Sequence, residues 1–100
     1  MIHLYNIENF IEEINPIMFC IYLRETRWNE YKTKREFIKV FQIYKDHEAF
    51  QSIIPLKRDL LDYEDAMYRA IETVASVEEC SIEMLICVLL NSNAHFNMTV

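Results

Sequence analysis

IMFCIYL, residues 17–23, is the stretch on which the architecture turns. It is a continuous apolar run, β-branched and aromatic, set between Asn15-Pro16 and the polar segment RETRWNEYKTKRE at 24–36. Such a run suits a strand covered on both faces, although periodicity alone also admits a buried helical turn. Read as a strand, it becomes the first of three and sets the order α-β-β-β-α-α.

Upstream, Asn6 can cap a short helix over 7–14, because Ile7, Phe10, Ile11 and Ile14 recur at i, i+3, i+4 and i+7. Asn15-Pro16 ends it. Downstream, 24–36 reads as a connection with room for one short strand or helical turn. FIKVFQIY (37–44) is rich in strand-forming residues, with Phe37, Phe41 and Ile43 on one side and Ile38, Val40 and Tyr44 on the other. Lys45-Asp46-His47-Glu48 supplies a turn, and AFQSIIPL (49–56) forms the third strand. Pro55 lacks the donor a ladder needs, so this strand ends there or lies at an edge.

From Asp62 the period becomes helical. Asp62 stands at the N-cap position, and Glu64 and Asp65 meet the positive end of the helix dipole. Tyr63, Met67, Ala70, Val74 and Val77 line one side of this helix, while Arg69, Glu72, Thr73 and Ser76 face away. Glu78-Glu79-Cys80 breaks the pattern and Ser81 caps again. A second helix, SIEMLICVLL (81–90), then runs to about Asn91, and residues 92–100 read as a loosely held tail. The whole chain is thus one α+β domain over 1–100, about three antiparallel strands with helices packed on one face.

The segment 81–90 holds one charged side chain in ten. A helix apolar all round asks for cover all round. Either the N-terminal helix closes the last side within the monomer, or a second subunit does so in a two-fold dimer. The second alternative makes Met84, Leu85, Val88 and Leu89 the oligomer interface.

Composition narrows the chemistry. The chain has 100 residues, 52% of them apolar, a formal charge of −6 and no glycine. It is large enough for a single core and too apolar for a disordered chain. Phosphate-cradling loops, dinucleotide fingerprints and nucleophile elbows all need glycine and are excluded. His3, His47 and His95 lie far apart, so a metal site is not expected. Asp59, Asp62, Glu64 and Asp65 read as a helix start and not as a cation site. Cys20 with His47 is the one nucleophile–base pairing that neighbouring strands could assemble, and no catalytic residue or cofactor is assigned. The three cysteines Cys20, Cys80 and Cys87, with no export segment, place the chain in a reducing cytoplasm. The apolar runs are too short to span a bilayer.

Charge is segregated. Residues 24–39 hold Arg24, Arg27, Lys32, Lys34, Arg35 and Lys39 against three glutamates, while residues 59–83 hold eight acidic side chains against Arg69 alone. Trp28, Tyr31 and Phe37 interleave the basic stretch. Tryptophan and arginine are enriched among residues that dominate protein interfaces, which makes Arg24, Arg27, Trp28 and Tyr31 the candidate partner-binding set. The same mixture of rings and cations is also how single-stranded nucleic acid is held.

SIIPLKRDLLDYEDAMYRAIETVASVEECSIEMLICVLLN, residues 52–91, resembles ribbon-helix-helix regulators: a short strand, a longer helix, a turn ending in serine and a second apolar helix. The resemblance implies an intertwined dimer, with Lys57 and Arg58 as positive contacts to nucleic acid. Two expectations for function follow. The first is a small non-enzymatic regulator, adaptor or inhibitor acting through protein contacts, with a protein partner or with itself as a homodimer. The second is a dimeric nucleic-acid-binding regulator of ribbon-helix-helix or antitoxin-like type.

Overall fold

Seven elements follow one another in the computed structural model, which describes the backbone of residues 7–98 and the side chains of residues 10–91. They are α1 (Ile7–Glu13), α2 (Pro16–Glu25), β1 (Asn29–Tyr31), β2 (Ile38–Lys45), β3 (Glu48–Pro55), α3 (Tyr63–Glu78) and α4 (Ile82–Met98). The fold is α+β with a three-stranded antiparallel sheet, as expected, but the order is α-α-β-β-β-α-α. The expected cap at Asn6 lies outside the described residues.

The difference lies in residues 17–23, which are helical. Asn15 both closes α1 and opens α2: its Oδ1 accepts from the backbone N–H of Ile17 at 2.8 Å and of Met18 at 3.4 Å. Pro16 occupies the first helical turn, where its fixed φ suits a helix and its missing N–H costs nothing. Pro16, Phe19, Cys20 and Leu23 then fall on one buried stripe. Thr26 ends the helix by donating its N–H and its hydroxyl to the carbonyls of Tyr22 and Leu23. The first strand is instead the three-residue β1, inside the segment read as a connection.

The sheet is a meander in the order β1-β2-β3. Lys45 pairs with Glu48, so Asp46 and His47 alone make the hairpin turn, both at positive φ as a type I′ turn requires. β3 is an edge strand and ends at Pro55, which agrees with the reading of that proline.

All four helices gather on one side of the sheet. α3 lies mainly against β3, α2 bridges β1 and β3, and α4 packs on α1, α2 and α3. Phe19, Leu23, Phe41, Ile54, Met67, Ile71, Leu85 and Leu89 form the centre of the core. Ser52, a buried polar residue there, donates its hydroxyl to the carbonyl of Ala70 at 3.2 Å and so ties β3 to α3. Arg58 reaches the α1 end, donating to the carbonyls of Glu12 and Ile14.

The last two helices form as read, with three refinements. Asp62 stands at the α3 N-cap, yet its side chain makes no capping bond. Ser81 does cap α4, accepting from the N–H of Met84 at 3.0 Å. α4 continues past Asn91 to Met98. In the segment that resembles ribbon-helix-helix proteins, the strand pairs with β2 of its own chain along its whole length.

Candidate interaction surface

Strand register sorts the side chains of the sheet onto two faces, because residues directly opposite each other point the same way. One face carries Glu30, Lys39, Phe41, Ile43, Lys45, Phe50, Ser52 and Ile54, and the helices cover it. The other face has four rows. Ile38 stands beside Pro55; Tyr31, Val40 and Ile53 form the second row; Asn29, Gln42 and Gln51 the third; Tyr44 and Ala49 the fourth. None of these side chains is charged, in a chain where 26% of residues are.

Among the described residues no helix lies on that second face. Tyr31 is 60% exposed, Tyr44 72% and Ile53 41%, while Val40, between Tyr31 and Ile53, is buried. Gln42 donates its amide N–H to Gln51 Oε1 at 3.0 Å, so the polar middle row is partly satisfied within itself. The surface is therefore a neutral platform with two tyrosine rings and an isoleucine standing out.

Beside the platform runs the free edge of β3. Leu56 N–H donates to Phe37 C=O at 2.8 Å, directly after the pair Ile38–Pro55. Hydrogen-bonded and non-bonded pairs alternate in an antiparallel ladder, so the backbone groups of Ile54, Ser52 and Phe50 face β2. Those of Ala49, Gln51 and Ile53 face outward. Pro55 also falls on the outward side, where its missing N–H removes nothing from the ladder. Between this edge and α3 lies a groove of about 320 Å³, lined among others by Ser52, Ile53, Ala66, Arg69, Ala70 and Thr73.

Of the expected partner-binding set, only Tyr31 stands on the platform. Trp28 is 2% exposed and belongs to the core. Its backbone N–H donates to Leu23 C=O at 3.1 Å, turning the chain back at the end of α2 and carrying the indole inward. Arg24 sits on the helix side of the sheet, over the Phe41 ring and bonded to Glu30 at 2.8 Å. Lys39 joins the same glutamate at 3.1 Å, and these two cations hold the Glu30 carboxyl below its ordinary range. Arg27 is exposed, at φ 81°. Of the expected oligomer interface, Leu85 and Leu89 are buried within the monomer, whereas Met84 (58%) and Val88 (37%) remain at the surface. The helix that was read as a strand, α2, supplies part of the missing cover.

Cys20 and His47 do not form a site. Cys20 lies buried on α2, where desolvation pushes its thiol up to about 11, and His47 is exposed at the hairpin tip. Among the described residues no three His, Cys, Asp or Glu side chains are grouped so as to hold a metal ion. No helix of the described residues is long and apolar enough to cross a membrane. Tyr44 and Ile53 fall on the face that Lys39 leaves without charge in 37–44, but only the packing of the helices on the other face leaves this one bare.

The fold and surface together define a small α+β domain with one sheet face bare. Comparisons with protein-family models, with curated proteins and with solved structures find no match to the chain.

Proposed function

We propose that this chain is a small non-enzymatic binding protein, a regulator, adaptor or inhibitor, whose contact surface is the bare face of its sheet. The observation that carries this reading is the uncharged platform on which Tyr31, Tyr44 and Ile53 stand exposed while every helix lies on the other side. Large apolar and aromatic side chains gathered in water on one uncharged face mark interaction sites, and tyrosine is among the residues that dominate them. Sealing a large apolar side chain from water contributes roughly 1.5–3 kcal/mol. The free thiols support a reducing compartment, the cytoplasm.

The test is a double substitution, Tyr31→Ser with Ile53→Ser, in a tagged protein purified from its native host. Both positions are exposed, so the fold should be retained by circular dichroism. A protein captured by the wild type should bind the variant at least about tenfold more weakly. Undiminished capture by a folded variant overturns the reading.

A second reading, binding of single-stranded nucleic acid, is favoured by the exposed Tyr31 ring beside the loop that carries Lys32, Lys34 and Arg35. Against it stand Arg24, Lys39 and Arg58, which are engaged within the fold. Anisotropy with a labelled oligonucleotide decides: binding that weakens steeply with salt supports this reading, and none at low salt removes it.

A further inference from the structure

We infer that two copies of the chain join antiparallel along the free edges of β3, with the two-fold axis at Gln51, to make one six-stranded sheet. This goes beyond the binding reading and does not rest on it.

Exposed edge strands are ordinarily defended by a charge, a proline, a bulge or a covering segment. β3 has a glutamate at its first position and a proline at its last; between them Ala49–Ile54 is regular and uncharged. Its outward donors and acceptors belong to Ala49, Gln51 and Ile53, as the ladder phase shows. Placed about Gln51, these three residues match themselves: Gln51 meets Gln51 of the second copy, and Ala49 meets Ile53 of the second copy on either side. Each such pair exchanges two hydrogen bonds, so every free backbone group of the three is used. Pro55 falls just beyond the paired segment, where its lack of a donor does no harm.

Side chains agree with the same register. On the platform face, small Ala49 lies against Ile53, and two neutral amides meet at the axis. Toward the helices, Phe50 meets Ser52, and Glu48 comes opposite Ile54 on the groove side of the sheet. That groove is lined by Arg35 and Arg69 against Asp62, and Arg69 otherwise has only the exposed Asp65 at 3.4 Å. The single charge that the second β3 brings is negative, and both Arg35 and Arg69 line the groove beside that edge. Small residues of α3, Ala66, Ala70 and Thr73, leave room for it. A two-fold contact of this kind uses one patch twice, and the platforms of both copies become continuous across it.

The experiment is sedimentation velocity on the wild type, on Gln51→Lys and on Gln51→Glu, alone and in equal mixture, with circular dichroism confirming that each is folded. Wild type should show a dimer that grows with concentration. Each variant places like charges face to face at the axis and should self-associate at least about tenfold more weakly. Mixing the two puts opposite charges there and should restore the dimer. The inference is overturned by a wild type that stays monomeric to millimolar concentration, by variants that dimerise as well as wild type, or by a mixture that stays monomeric. These outcomes are read from self-association alone; Ile53 lies in the paired segment, so the partner reading is tested apart from the dimer by Tyr31→Ser on its own, since Tyr31 stands on β1, away from the β3 edge.

Discussion

With no glycine anywhere, each left-handed backbone position falls to a residue with a Cβ. Among the described residues Arg27, Asp46, His47 and Glu79 have φ of 81°, 53°, 65° and 60°. For an L-residue that region costs roughly 1–2 kcal/mol, less for Asp, whose short polar side chain tolerates it. Glu79 stands where helices most often end in glycine: its N–H and that of Cys80 return to the carbonyls of Ser76 and Ala75 and close α3. Its carboxylate reaches Lys45 at 3.3 Å, but the side chain is largely in water and that pair contributes little. Glu79→Gly should therefore raise stability by about 0.5–1 kcal/mol, the relief of strain exceeding the extra freedom gained by the unfolded chain. His47→Gly at the hairpin should do the same. Urea unfolding should show both as a higher midpoint at unchanged slope.

At the scale of elements, α2 decides the architecture, and it is the element that sequence reading makes a strand. Residues 17, 18 and 21 are as apolar as the buried Phe19, Cys20 and Leu23, so the helical stripe is hidden in a uniform run. What separates the two readings is Asn15, which was legible as a stop and is also a start. Asn15→Ala should remove the bonds to Ile17 and Met18 and lower stability by about 1 kcal/mol, read from thermal unfolding. β2, β3 and α3 were legible because each has one wet side that reveals its period. Tyr31 is named from sequence only for its place among Trp28 and the arginines; that it stands on the bare face follows from β1, inside a segment that reads as a connection. The burial of Trp28 was hidden, since an indole in a polar stretch reads as exposed until a tertiary turn carries it inward. Which sheet face stays bare was equally hidden, because the choice lies in where four helices pack and not in either strand.

For the whole molecule, making 16–25 a helix answers the demand of α4 for cover. α1, α2 and α3 take its Leu85, Ile86 and Leu89 faces, leaving Met84, Cys87 and Val88 outside. The three cysteines now sample three depths: Cys87 exposed on α4, Cys80 half-buried at the α3 end, Cys20 sealed beneath α2. Burial pushes the Cys20 thiol up to about 11 and so disfavours the thiolate, the reactive form. Burial adds a second barrier, since reagent reaches Cys20 only when the core opens. Mass spectrometry of protein treated with a thiol reagent should show Cys87 modified at once and Cys20 last, at a rate set by opening of the fold. Because α2 touches both the sheet and α4, that opening should be global, costing the full unfolding free energy and not a local fraction of it. Glu79→Gly, far from Cys20 in sequence, should then slow Cys20 modification by up to about fivefold and leave Cys87 unchanged. Equal rates at Cys20 in the two proteins would mean that α2 opens apart from α3, and that the core is two cooperative units instead of one.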